Sequence, residues 1–266
     1  MSACGITYVA TRSDLYVEEA FLAAFSAKRY VPNLPVTLFT DRPNHSLCER
    51  DVFDDVVPIT REAMDVPEWS AGQLDRLACL QRSPYRRTLH LDTDTRVFSG
   101  EVRDLFAVLD RADIAMVEAA PDESFSRLHF GKRILNAGLI LYESSEPAFR
   151  CFTEWAAITA RNFCAASTVP VTDVLGLGPQ RSEAVIRELL LIDQIALAEI
   201  LTPEVNRFGL RLEVLDYSWN HRGSRLPANN RKPLRILHRP RHKLKTHTLE
   251  LEEALRVTKA TQRFRR

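Results

Sequence analysis

The chain has 266 residues, of which 45% are hydrophobic and 27% charged, a profile that fits a globular protein with a sizeable core and excludes a disordered or fibrous one. Its formal net charge of +1, from 36 Lys and Arg against 35 Asp and Glu, excludes a global electrostatic attraction to nucleic acid or to an anionic membrane.

The opening MSACGITYVATRSDLY has no basic segment leading into an apolar run, so no secretory leader is expected. No window approaches the ~20 apolar residues that cross a bilayer. Five scattered cysteines, Cys4, Cys48, Cys79, Cys151 and Cys164, show neither zinc nor CxxC spacing, and their odd number argues against a disulfide framework. A reducing, cytoplasmic location is the expectation.

GITYVAT (5–11) reads as a buried strand. The spacing of Val17, Ala20, Phe21, Ala24 and Phe25 predicts a helix from Asp14 to Tyr30. PVTLFTD (35–41) and DDVVPI (54–59) predict two further strands. Leu74, Leu77 and Leu80 predict a helix over 70–81, ended before Pro84. RRTLHLD (86–92) and TRVF (95–98) flank two aspartates, and DIAMVEA (113–119) and LNAGLILY (135–142) predict strands. Residues 146–163 and 182–200 predict helices, LRILH (234–238) a late strand, and 248–266 a C-terminal helix with a basic tail. Strands alternating with helices predict an α/β fold in one domain over 1–266, with a mostly parallel sheet flanked by helices. In such sheets ligands bind beyond the carboxyl ends of the strands, and Asp92 and Asp94 sit at such an end.

Residues two apart on an extended segment point the same way. Asp92 and Asp94 therefore repel each other unless a cation lies between them, and their oxygens suit Mg²⁺ or Mn²⁺. A turn cap explains the same spacing equally well. Phosphohydrolases of the haloacid-dehalogenase type also carry D-x-D after an apolar strand, continued as D-x-D-x-(T/V). Here the fifth position is Arg96 and several elements precede the motif, which counts against them.

Asp193 has Leu189, Leu190, Ala196 and Leu197 as its helical neighbours. A carboxylate on an apolar stripe is costly unless paired or ligand-bound, so Asp193 and the adjacent Gln194 are candidate site residues. Asn136-Ala137-Gly138 breaks an otherwise apolar strand, which taken alone reads first as a structural bulge and otherwise as close approach by a ligand or another backbone. His238 ends the late strand and opens the basic run RPRHKLK. It reads as an ordinary surface histidine unless the run faces the same cleft, in which case it is a candidate third metal ligand, with Lys243 or Lys245 for a phosphate. YSWNHRG (217–223) places Trp219 and Asn220 in a loop that could form an acceptor wall or simply pack. The basic stretch 222–245 could grip a phosphate, an anionic acceptor or a membrane surface peripherally. As a nucleic-acid patch it lacks an aromatic platform.

In order, these pieces resemble the nucleotide-sugar glycosyltransferases of GT-A (Rossmann-like) fold, family 8 and its relatives. LHLDTDTRV is similar to their D-x-D segment, LNAGLILY to their N-(A/S)-G strand, LIDQIAL to their D-Q helix, and His238 with its lysines to their metal-binding histidine segment. VATRSDLYVEEAF resembles their nucleotide-binding opening, and Arg76 the basic residue ahead of the D-x-D strand. The resemblance implies transfer of a sugar from a nucleotide-diphosphate donor, a UDP-sugar first, to a glycan, lipid or protein acceptor, with Mn²⁺ or Mg²⁺ as cofactor.

On this resemblance Asp92, Asp94 and His238 hold the metal, while Thr11, Tyr16, Arg76, Asp92 and Lys243 hold the donor. Asp193, Gln194 and Asn136 stand at the reacting carbon, with retention of configuration. Residues 5–100 would form the nucleotide half, 101–247 the acceptor and catalytic half. The family's H-x-x-G-x-x-K-P-W is HRPRHKLK here, which leaves His242 as an alternative ligand. A degenerate, non-catalytic nucleotide-sugar binder and a phosphohydrolase remain the alternatives.

Overall fold

The computed structural model describes residues 2–60, 63–119, 133–168, 182–222, 233–238 and 247–264. Strand β1 (Ser2–Ala10) leads to α1 (Asp14–Tyr30), then β2 (Val36–Thr40), β3 (Asp55–Pro58) and α2 (Glu68–Leu80). Next come β4 (Tyr85–Leu91), the short β5 (Thr95–Val97) and α3 (Val102–Leu105), followed by β6 (Ile114–Glu118), β7 (Leu135–Glu143) and α4 (Glu146–Ala166). Helices α5 (Glu183–Leu190) and α6 (Asp193–Leu197) precede β8 (Leu212–Leu215), β9 (Ile236–His238) and α7 (His247–Phe264).

Seven strands form one sheet in the order β3-β2-β1-β4-β7-β6-β8. All neighbouring pairs are parallel except those made by β7, which runs antiparallel to β4 and β6. The sheet is thus mostly parallel and flanked by helices, as expected. The reversal of β7 positions the site: its first residues lie beside the end of β4, with Leu91 opposite Leu139 and Asp92 N–H donating to Gly138 C=O at 3.0 Å. A two-stranded ribbon pairs Thr95 with His238, carrying the histidine to the same edge.

The pleat sends alternate residues to opposite faces. Leu139 and Leu141 of β7 pack in a core with Phe21 of α1, while Ile140 and Tyr142 pack with Phe152 and Trp155 of α4. A strand covered on both faces reads as an unbroken apolar run, which LNAGLILY does. Ser13 caps α1 by accepting from Leu15 N–H at 3.3 Å, and Ser145 caps α4 from Ala148 N–H at 3.4 Å.

Residues 182–200 form two helices, not the single one expected. The chain breaks at Leu191 and Ile192, and the side chain of Gln73 spans the break: its amide donates to Leu191 C=O at 3.0 Å and its carbonyl accepts from Asp193 N–H at 2.7 Å. Strand β8, on the sheet edge and only half-buried, was not expected either. Among the described residues no helix is long and apolar enough to cross a membrane.

Gly5 lies face-on to the ring of Tyr85, whose hydroxyl is hydrogen-bonded to Thr37 Oγ1 at 2.7 Å. A Cβ there would overlap the ring. Gly5→Ala is expected to lower stability by about 1–3 kcal/mol, as overpacking does, measured by denaturant unfolding; wild-type stability would show that the ring moves freely.

Candidate active site

A cleft of about 710 Å³ opens beyond the carboxyl ends of β1 and β4. It is lined by every expected site residue that falls among the described ones: Thr11, Tyr16, Arg76, Asp92, Asp94, Asn136, Asp193, Gln194 and His238. Lys243, Lys245 and His242 lie outside the described residues.

At the centre Arg76 joins the two acidic motifs. Its Nη1 donates to Asp92 Oδ1 at 2.7 Å and to Ala137 C=O at 3.4 Å, and its Nη2 donates to Asp193 Oδ2. Burial disfavours ionisation at both aspartates. At Asp92, whose side chain keeps 28% of its surface exposed, the charges of Arg76 and His238 overcome burial and hold the carboxyl below its ordinary range. At Asp193, 3% exposed, burial prevails over Arg76 and raises it. Burial also works against the guanidinium, but the two carboxylates keep Arg76 firmly charged.

Asp92, Asp94 and His238 each offer one ligand atom, all within 4.8 Å of one another. His238 Nε2 is 3.1 Å from Asp94 Oδ1 and 3.6 Å from Asp92 Oδ2. Its Nδ1 faces Asn220 Oδ1 at 2.8 Å, and Asn220 Nδ2 donates to Asn136 Oδ1 at 2.8 Å. Because an amide oxygen only accepts, Nδ1 carries a hydrogen and Nε2 is directed at the carboxylates. Burial opposes the imidazolium, yet the neighbouring charge of Asp94 prevails and raises His238. The cluster therefore calls for positive charge at this point, from a proton or a metal ion. Two carboxylates and an oriented imidazole fit Mn²⁺ or Mg²⁺.

Gly138 explains the break in β7. A Cβ there would collide with Cε1 and Nδ1 of the His238 ring. Asn136 Oδ1 also accepts from Gly138 N–H at 2.8 Å, so Asn136 braces the imidazole through Asn220. Gln194 Oε1 accepts from Ala137 N–H at 2.7 Å, and Trp155 Nε1 donates to Asp193 C=O at 2.7 Å, fixing the start of α6.

At the β1 end, Thr11 Oγ1 donates to Asp75 Oδ2 at 2.8 Å. Arg12 adopts a left-handed φ of 73°, uncommon for a residue with a side chain. It is held by Asp75, which accepts from its Nε at 2.7 Å and Nη2 at 3.1 Å, and by Asp41, which accepts from its backbone N–H at 3.2 Å.

Trp219 is not in the cleft wall: it packs under the Arg235 guanidinium, 4.8 Å from ring centroid to Cζ. Its neighbour Asn220 is buried and serves the imidazole. Arg96, which separates this D-x-D from the phosphohydrolase pattern, turns to α7 and pairs with Glu250 at 3.2 Å. Gln73, Asp75, Trp155 and the bridging role of Asn220 were not foreseen. The signal for Gln73 was its place three residues before Arg76, on the polar face beside Leu74, Leu77 and Leu80.

The fold is that of the GT-A glycosyltransferases. The galactosyltransferase LgtC, solved with donor and acceptor sugar analogs, superposes with a TM-score of 0.57 at 13% identity, over 94% of this chain and 95% of that one. An active-site mutant of LgtC gives 0.58 at 12% identity, over 94% and 95%. The glycosyltransferase GlyE of Streptococcus pneumoniae gives 0.50 at 14%, covering 96% of this chain and 61% of its own. No family model and no curated protein sequence matches the chain.

Arg76→Met takes the shared cation from the buried Asp193 and the half-buried Asp92. A loss of about 3–5 kcal/mol at pH 7 is expected in denaturant titration. Without Arg76 the folded-state pKa values of both aspartates rise above their unfolded values, so the variant loses stability as pH rises and its deficit shrinks towards pH 4. A pH-independent deficit would refute the pairing. Gly138→Ala, by displacing His238, should weaken Mn²⁺ binding at least about tenfold in calorimetry, with Asp92 and Asp94 untouched; unchanged affinity would remove His238 from the site.

Proposed function

We propose that this protein is a metal-dependent glycosyltransferase moving a sugar from a nucleoside-diphosphate donor, UDP-sugar first, to a glycan, lipid or protein acceptor. The observation that carries the reading is the meeting of the Asp92–Asp94–His238 cluster with the Arg76–Asp193 pair in one cleft of a GT-A fold. A bound Mn²⁺ or Mg²⁺ supplies Lewis-acid charge to a diphosphate leaving group.

Asp92, Asp94 and His238 would hold that ion. Thr11 and Tyr16 would contact the nucleoside, and Lys243 the phosphates. Arg76 would fix Asp92 in its ligating orientation while neutralising Asp193. Asp193, bound to Arg76 through one carboxylate oxygen, would steady positive charge at the anomeric carbon. Gln194, tied to the backbone of β7, would orient the acceptor or donor sugar beside it. Asn136 belongs with them through the imidazole it braces.

Residues 5–100 are assigned to the donor and 101–247 to the acceptor and catalytic side, within one domain. Retention of configuration follows the family 8 resemblance. Five free thiols suit a reducing cytoplasmic setting. The position of His238 opposite the carboxylates and the fold both favour transfer over the phosphohydrolase alternative.

The test is a thermal-shift panel of UDP, GDP, ADP and CMP derivatives with and without Mn²⁺. A nucleotide at a hundred times its Kd stabilises by about 2.7 kcal/mol, a shift of several degrees. The expected result is a shift that needs metal and is lost in Asp94→Ala, followed by metal-dependent sugar release or transfer. No response to any nucleotide sinks the proposal, and binding without turnover marks a non-catalytic binder.

A further inference from the structure

Helix α2 presents Trp69, Gly72, Gln73 and Arg76 to the cleft, the i, i+3, i+4, i+7 spacing of one helical face. Two of these have partners that explain them: Arg76 grips Asp92 and Asp193, and Gln73 spans the break before α6. Trp69 has a different character. It sits in the first turn of α2, lines the cleft and still leaves 44% of its surface exposed, while the core face of the same helix is filled by Leu77 and Leu80. A large aromatic face left open on a cavity wall is a stacking surface.

Gly72 makes room next to it. A Cβ at that position would come no nearer to its surroundings than 3.8 Å, from Thr11 Oγ1, so this side of the helix borders open space. Arg76 lies seven positions beyond Trp69 on the helix, about 10 Å along the axis. That matches the reach from base to diphosphate in an extended nucleotide. Tyr16 and Thr11, from the segment after β1, line the same cleft.

We infer that Trp69 is a nucleobase-stacking residue. The flat base of a nucleoside diphosphate lies on its indole face, the ribose occupies the space left by Gly72, and the diphosphate extends towards Arg76 and the Asp92–Asp94–His238 cluster. Helix α2 thereby measures the donor from base to diphosphate. This assignment rests on the nucleotide-sugar reading and names a contact that reading lacks.

The test compares the full-length wild type with Trp69→Ala and Trp69→Phe. Calorimetry in Mn²⁺ measures UDP, GDP, ADP and pyrophosphate, with intrinsic tryptophan fluorescence recorded alongside. Base–aromatic stacking is worth about tenfold or more in affinity. Trp69→Ala is expected to weaken the preferred nucleotide about tenfold and leave pyrophosphate unchanged, whereas Trp69→Phe, which keeps a ring, recovers most of the loss. Nucleotide-induced quenching should fall in both variants, since each removes the indole on which the base lies, one of three tryptophans. Equal weakening of nucleotide and pyrophosphate, or weakening of neither, overturns the stacking role and leaves the nucleotide reading standing. Failure of the wild type to bind any of the nucleotides overturns both.

Discussion

The Arg76 guanidinium lies between Asp92 at the end of β4 and Asp193 at the start of α6, with only 11% of its side chain exposed. Two neighbouring elements, α2 and β4, meet the distant α6 through this one cation. Taking two carboxylates out of water is costly unless positive charge and hydrogen bonds compensate them. Arg76 supplies both, and the planar fork of its donors fixes the directions in which the carboxylates point. Asp92 turns its second oxygen towards the cluster, 3.6 Å from His238 Nε2, while Asp193 lines the cavity.

A second layer of neutral groups holds this charged core in place. Gln73 and Trp155 bind the backbone around Asp193, Gln194 binds the backbone of β7, and Asn136 and Asn220 pass the orientation of β7 on to His238. Gln73 is half-buried and the other four are buried, so their hydrogen bonds also remove the penalty of unsatisfied polar atoms. His90, two residues before Asp92, shows the contrast. Burial, and then the charge of Arg76, push it down to about 3, and its Nδ1 lies 3.3 Å from Thr7 Oγ1. It is a neutral histidine of the sheet, whereas His238 faces carboxylates and is raised.

Much of this was legible in the sequence because it rests on local pattern. A strand ending in D-x-D, an Asn-Ala-Gly break in an apolar strand and a carboxylate among leucines each violate a periodicity, and violations mark sites. The inference for Asp193 reached the right burial through a different geometry, since the uninterrupted helix over 182–200 proved to be two helices. The direction of β7 was not legible, because a strand covered on both faces reads alike in parallel and antiparallel sheets. Strand β8 was missed because a half-buried edge strand lacks clear alternation. Gln73 and Asn220 could not be read either. Gln73 meets its partner Asp193 120 positions away and Asn220 meets Asn136 84 away, and such pairing leaves no trace in neighbouring residues. Whether Lys243 joins them lies outside the described residues.

The pairing of β5 with β9 sets an order of events during synthesis. Asp92 and Asp94 emerge from the ribosome about 140 residues before His238, and Asp193 about 100 after them. Throughout that interval the growing chain carries its carboxylates without the imidazole that completes the cluster. Arg76, made sixteen residues before Asp92, is available to pair with it from the outset. Pairing of β9 with β5 brings His238 to the cluster only once most of the chain has been made, so a chain ending before β9 would lack its imidazole.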